Sequence, residues 1–193
     1  MTKFILHGGQ SRQDCENNRN FYRAMFDLDK NEINSLVVSF ARPTEAWNLP
    51  EEEIVKIKTL NPKKIIHFHT ASKENFIEEL KAADVVYIRG GNTCKLIVEL
   101  KKTPNFIELI QDKLVAGSSA GALSLAKYYF SQDDDGISEG LGILPAKMIT
   151  HFGLPNNYNQ SFEPELKTLR DYKKDEALKT IALRETEFVV IEQ

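Results

Sequence analysis

Gly117-Ser118-Ser119-Ala120-Gly121 places a serine between two glycines in the pattern G-x-S-x-G. An apolar run at 114–116 precedes it and a helix-like segment at 121–130 follows, the context in which such a serine becomes a nucleophile. A strand-to-helix turn this tight strains the backbone of its central residue, and small neighbours relieve the crowding. The Ser119 hydroxyl then stands at the carboxyl end of the sheet. The N–H of Ala120 is aimed where an oxyanion would form. Ser118 points the other way in this register and is read as structural. A second glycine turn, Arg89-Gly90-Gly91-Asn92-Thr93, also follows an apolar run and enters a helix-like segment. Its Gly91 N–H can supply a second oxyanion donor, while Asn92 and Thr93 can cap the helix or touch substrate. His7-Gly8-Gly9 is a third glycine turn, read as shaping the floor of the cleft.

A serine hydroxyl needs a base, and near neutral pH histidine is the usual one. Of His7, His67, His69 and His151, the last follows a strand-like run at 146–150 and precedes a loop, so it is taken as the base. His67 and His69 alternate on one strand and share a face. No carboxylate or third histidine stands at ligand spacing beside them, and a structural or cleft-lining role is expected. A carboxylate should orient the imidazole. Asp133, Asp134, Asp135 and Glu139 all lie between Ser119 and His151, and the residue pattern leaves the choice among them open.

The elements that must hold these groups alternate along the chain. Short apolar runs at 3–7, 35–41, 64–69, 85–88 and 114–116 have the length and composition of buried parallel strands. Helix-like segments at 13–28, 51–60, 74–83, 92–99 and 105–111 separate them. The alternation predicts an α/β fold with a doubly wound, mostly parallel sheet flanked by helices. Runs at 179–183 and 188–191 look like two late strands separated by Glu185-Thr186, a hairpin at one edge. Segments 131–142 and 153–162 read as loops. With 193 residues and no internal repeat, one domain over 1–193 is expected.

Hydrophobic residues make up 41% and charged residues 27%, with a formal net charge of -3 and no basic stripe, which argues against nucleic acid or an anionic membrane as partner. Cys15 and Cys94 form no metal or redox motif and read as free thiols of a reducing compartment. The apolar run before His7 is too short for a secretory signal, so a cytoplasmic location is expected.

Gly90-Gly91-Asn92-Thr93, the Gly117 to Ala122 core, Leu141-Gly142-Ile143-Leu144-Pro145 and His151-Phe152 together resemble peptidase family S51, which contains dipeptidase E and cyanophycinase. The resemblance is strongest over 83–152. It implies a class I glutamine amidotransferase-like fold with serine in place of cysteine, and a serine-type peptidase acting on dipeptides or short peptides. It assigns Ser119 as nucleophile, His151 as base, Gly91 and Ala120 as oxyanion donors, and Asp134 as the acid. A glutamate in some members keeps Glu139 in view. The family's dipeptidases read an aspartate side chain with an arginine after the histidine. No arginine here matches that place without a gap, and Lys167 and Arg170 are the nearby substitutes. The resemblance implies no metal or organic cofactor, a small peptide as partner, and a monomer or homodimer. Two other classes share the serine turn: a small carboxylesterase, and a non-catalytic ligand-binding domain of the same fold.

Overall fold

The computed structural model describes residues 1–131, 136–153 and 163–193. Its first sheet has six strands in the order β10-β1-β5-β4-β2-β3. They are β1 (Lys3–His7), β2 (Glu32–Val38), β3 (Ile65–Thr70), β4 (Val85–Ile88), β5 (Leu114–Ser118) and β10 (Phe188–Glu192). Every pairing is parallel except β1 with β10. A second sheet, β7-β6-β8-β9, holds β6 (Ala126–Ser131), β7 (Gly136–Glu139), β8 (Leu144–Ile149) and β9 (Lys179–Ala182).

Alternation along the central strands sends side chains to two apolar layers. Ile5, Val37, Val85 and Leu114 meet Phe21, Tyr22 and Met25 of α1 (Glu16–Met25) and Ile57 of α2 (Glu51–Leu60) on one face. On the other face, Leu6, Leu36, Val86 and Val115 meet α3 (Phe76–Ala82), α4 (Thr93–Leu100), α5 (Phe106–Leu109) and α6 (Ala120–Leu125). This is the helix-on-both-faces arrangement expected of β-α alternation with buried parallel strands. Tyr129, Leu144, Met148 and Ile181 of the second sheet join the same cluster as Leu6. The remaining helix, α7 (Glu163–Asp171), packs Leu166 and Leu169 against Ile149. The buried Lys147 ammonium donates to the carbonyls of Arg170 and Tyr172 at the end of α7, groups a helix leaves without partners. Among the described residues no helix is long and apolar enough to cross a membrane.

Three local expectations are corrected. The helix after the serine turn stops at Leu125, and Tyr128-Tyr129-Phe130 run on as β6, parallel to β8. Aromatic residues favour a pleated, half-buried surface, and a strand partner here outweighs helical spacing. The polar stretch after Ser131 contains β7, antiparallel to β6. The two late strands form no hairpin: β9 lies parallel to β8 in the second sheet, and β10 lies antiparallel to β1 in the first. The segment joining them therefore crosses from one sheet to the other.

Leu6 is fully buried in β1, between β10 and β5. Leu6→Ala should lower unfolding stability by about 2–5 kcal/mol in urea denaturation, the range for a poorly collapsing core cavity. A loss below about 1 kcal/mol would show that β1 is not central to the packing.

Candidate active site

Ser119 sits between β5 and α6 with φ 54° and ψ -117°, a backbone conformation that L-residues seldom adopt. Two close approaches hold it there. The Ser119 N–H donates to the His7 carbonyl at 2.9 Å. A Cβ added at Gly121 would lie 2.0 Å from the Ile88 carbonyl oxygen, so only glycine lets α6 begin this close to β4. The Gly117-x-Ser119-x-Gly121 spacing thus has the strained strand-to-helix turn that it predicts.

His151 follows β8 and also has positive φ, 56°. Its N–H donates to the Gly8 carbonyl at 3.1 Å, which ties its backbone to the first glycine turn. Ser119 Oγ and His151 Nε2 are 2.8 Å apart. On the far side of the ring, His151 Nδ1 is 3.0 Å from Glu185 Oε1. A carboxylate can only accept, so Nδ1 carries the proton, and the Nε2 lone pair faces the Ser119 hydroxyl. Hydroxyl, imidazole and carboxylate therefore stand in line, as proton transfer from the serine requires.

Glu185 was not among the residues that the sequence pattern singled out. It lies in the connection between β9 and β10, and reading those strands as a hairpin makes Glu185-Thr186 an ordinary turn. The structure instead ties this segment to the first glycine turn: Gly8 N–H donates to Glu187 O at 2.8 Å and Thr186 N–H to Gly9 O at 3.0 Å. Within the segment, Arg184 N–H donates to Glu187 Oε2 at 2.9 Å. The available signal was a carboxylate between two short strands, after the histidine in the chain. Asp133, Asp134 and Asp135 lie outside the described residues. Glu139, on β7, lies 3.5 Å from Lys173 in an exposed pair.

His7-Gly8-Gly9 therefore does more than shape the cleft floor. Consecutive residues of this turn bind the backbones that carry Ser119, His151 and Glu185. Gly9 also packs against the His151 ring: with φ 129°, an added Cβ would lie 2.1 Å from His151 Cε1. His7 itself is buried, and its pKa is lowered to about 4, chiefly by burial and further by the charge of His151, with a hydrogen bond to Asn18 opposing the shift.

A cavity of about 230 Å³ opens beside the serine, and its walls include Ser119, His151, Gly91, Arg12, Arg42 and Arg89. Ala120 is the first residue of α6. Arg42 Nε donates to the Gly90 carbonyl at 2.7 Å, and its pKa is lowered by burial and then by the neighbouring charges of Arg89 and Arg12. Arg89 is 4% exposed and donates to the carbonyls of Ala46, Trp47 and Asn48. Glu53 and Tyr87 line the same space. Asn92 caps α4, its side chain accepting from Lys95 N–H at 2.8 Å, and Thr93 is buried. Lys167 pairs with Asp171 at 2.5 Å on the exposed side of α7, and Arg170 on that helix is also exposed. Neither lines the cavity, whose cations come from the loops after β1, β2 and β4. His67 bonds Glu32 at 2.9 Å on the outer part of the sheet. No group of three or more metal-ligating side chains occurs among the described residues.

Two solved structures share the fold. A peptidase from an acI-B1 Actinobacterium is 20% identical, with a TM-score of 0.62 over 100% of this chain and 84% of that one. A putative peptidase E from Listeria monocytogenes EGD-e is 16% identical, with a TM-score of 0.61 over 99% of this chain and 94% of that one. None of the curated proteins compared matches the chain. The profile of peptidase family S51 matches residues 56–193, which include the serine turn, His151 and Glu185, and the chain therefore belongs to peptidase family S51, a family of serine peptidases.

Proposed function

We propose that this peptidase hydrolyses dipeptides or short peptides through an acyl-enzyme on Ser119, with His151 as general base and Glu185 as the carboxylate that orients it. The observation that carries this reading is the unbroken line of hydrogen bonds from Ser119 Oγ through His151 to Glu185. In the first step His151 Nε2 takes the hydroxyl proton as Ser119 Oγ attacks the scissile carbonyl. The charge that develops on the carbonyl oxygen is met by the N–H groups of Gly91 and Ala120, each such donor being worth roughly 3–4 kcal/mol of barrier. His151 then gives its proton to the leaving amine, and water repeats the sequence to release the acyl group. Glu185 stabilises the imidazolium and keeps Nδ1 protonated throughout.

The small cavity supports a small substrate. Among the described residues, three arginines with a single carboxylate, Glu53, make its wall electropositive, and burial strengthens any charge-assisted bond formed there. A carboxylate lying close to the scissile bond, as every dipeptide has at its own C-terminus, complements Arg42 and its neighbours.

Three outcomes test the proposal. Ser119→Ala should abolish peptide turnover and fluorophosphonate labelling while leaving the far-ultraviolet circular dichroism unchanged; retained turnover removes Ser119 as nucleophile. Glu185→Gln should lower kcat by about 10²- to 10⁴-fold, because an amide can donate to Nδ1 and so favours the wrong tautomer. A rate near that of the parent protein would remove Glu185 and return the role to the acidic run that includes Asp134. Free-acid dipeptides should be cleaved with a kcat/KM at least about tenfold above that of their C-terminal amides, since each lost charge-assisted bond costs about 1.5–3 kcal/mol. Equal rates would show that the arginines do not read that group.

A further inference from the structure

His7 is a completely buried imidazole that takes no proton in the mechanism above, yet it stands one turn from the base. Its orientation is determined by Asn18 of α1, itself fully buried. Asn18 Nδ2 donates to the carbonyls of Gln10 at 2.8 Å and Gln13 at 2.7 Å. With both amide protons engaged on that side, Oδ1 is the atom left facing His7 Nε2 at 2.8 Å, so Nε2 must carry the proton. His7 Nδ1 is then a bare acceptor. It receives the Gly9 N–H at 3.1 Å and lies 3.5 Å from Ser118 Oγ. Gly9 in turn leaves no room for even a methyl group against the His151 ring.

We propose that His7 is a positioning residue that acts on His151 through Gly9, and that Asn18 selects the tautomer in which it can do so. The inference rests on His151 being the base. Asn18 sets the proton on Nε2, the free Nδ1 anchors the Gly9 N–H, and the anchored turn presses on the imidazole that faces Ser119. A protonated His7 would break this chain twice. Nδ1–H would confront the Gly9 N–H, donor against donor, and a second positive charge would oppose the imidazolium that must form at His151. The environment prevents that protonation. The groups facing the ring are Asn18 and Phe21 of α1, Ser118 of β5, Phe188 of β10 in register with His7, and His151 across the turn. Of these only His151 is ionisable, and its charge acts against one on His7.

The test places a charge where Asn18 now is. An aspartate beside an imidazole favours its charged form by about 1–3 pH units, so Asn18→Asp raises the pH at which His7 takes a proton. Below that pH the site is disabled. In Asn18→Asp, His7 should take its proton over about pH 5–7, so the acid limb of the kcat profile for dipeptide hydrolysis should steepen and shift upward as a second proton enters the site, with most of the rate recovered above about pH 8. Adding His7→Gln to that variant should remove the shift, because no titrating ring remains. An unshifted limb, a loss that persists at every pH, or a shift that survives His7→Gln overturns the proposal. Should Asn18→Asp fail to fold, two single variants decide. His7→Leu, which cannot accept from Gly9, should lower kcat about tenfold or more with KM within about twofold, and His7→Gln should recover most of that loss. Equal kcat in His7→Leu and the parent protein overturns it. Ser119→Ala assayed in parallel separates the two readings: turnover there sinks the serine mechanism, whereas an inactive Ser119→Ala with a normal Asn18→Asp profile sinks only the role of His7.

Discussion

The carbonyl and amide groups of His7, Gly8 and Gly9 are where three distant parts of the chain meet. The carbonyl of His7 accepts from Ser119, that of Gly8 from His151, and that of Gly9 from Thr186, beside Glu185; the Gly8 amide closes the set on Glu187. A catalytic constellation loses much of its effect when a group is displaced by about 1 Å, so the turn that collects these backbones sets the quality of the site. Side chains alone could not do this, because a serine, an imidazole and a glutamate on independent loops would each sample several rotamers. Backbone hydrogen bonds from one short turn restrict all three at once.

That turn exists because of the sheet around it. β1 lies between β5, which delivers Ser119, and β10, which enters the sheet after Glu185. The parallel pairing of β1 with β5 brings His7 opposite Ser118, and the antiparallel pairing with β10 brings it opposite Phe188. His151 arrives from the other sheet, at the end of β8, and the segment carrying Glu185 arrives from β9 alongside it. The site is therefore assembled where two sheets converge on a glycine turn. Glycine is required at Gly9 by contact with His151 as much as by its positive φ.

Much of this was legible in the residues. Short apolar runs alternating with helical segments predicted the parallel sheet, and the Gly117-x-Ser119-x-Gly121 spacing predicted the strained turn, because both are written in local sequence. His151 was found from its place after a strand-like run. Glu185 was not, because its position depends on β9 and β10 belonging to different sheets, a long-range fact that no short window carries. The same limit explains β6: Tyr128, Tyr129 and Phe130 satisfy a helical pattern until the pairing with β8 is known. The arginine wall was missed for a related reason. Arg12, Arg42 and Arg89 are far apart in the chain and converge only because the loops after β1, β2 and β4 open at one end of the sheet. Lys167 and Arg170 are closer to His151 in sequence, yet α7 directs them elsewhere.

The glycine turn holds the His151 imidazole against the Ser119 hydroxyl. The most direct measurement is dipeptide hydrolysis by Gly9→Ala, read beside its thermal unfolding. A methyl group there meets the His151 ring, so the protein should remain folded with kcat lower by about 10²-fold. A folded Gly9→Ala protein with the parent's kcat would contradict the claim that this contact positions the imidazole.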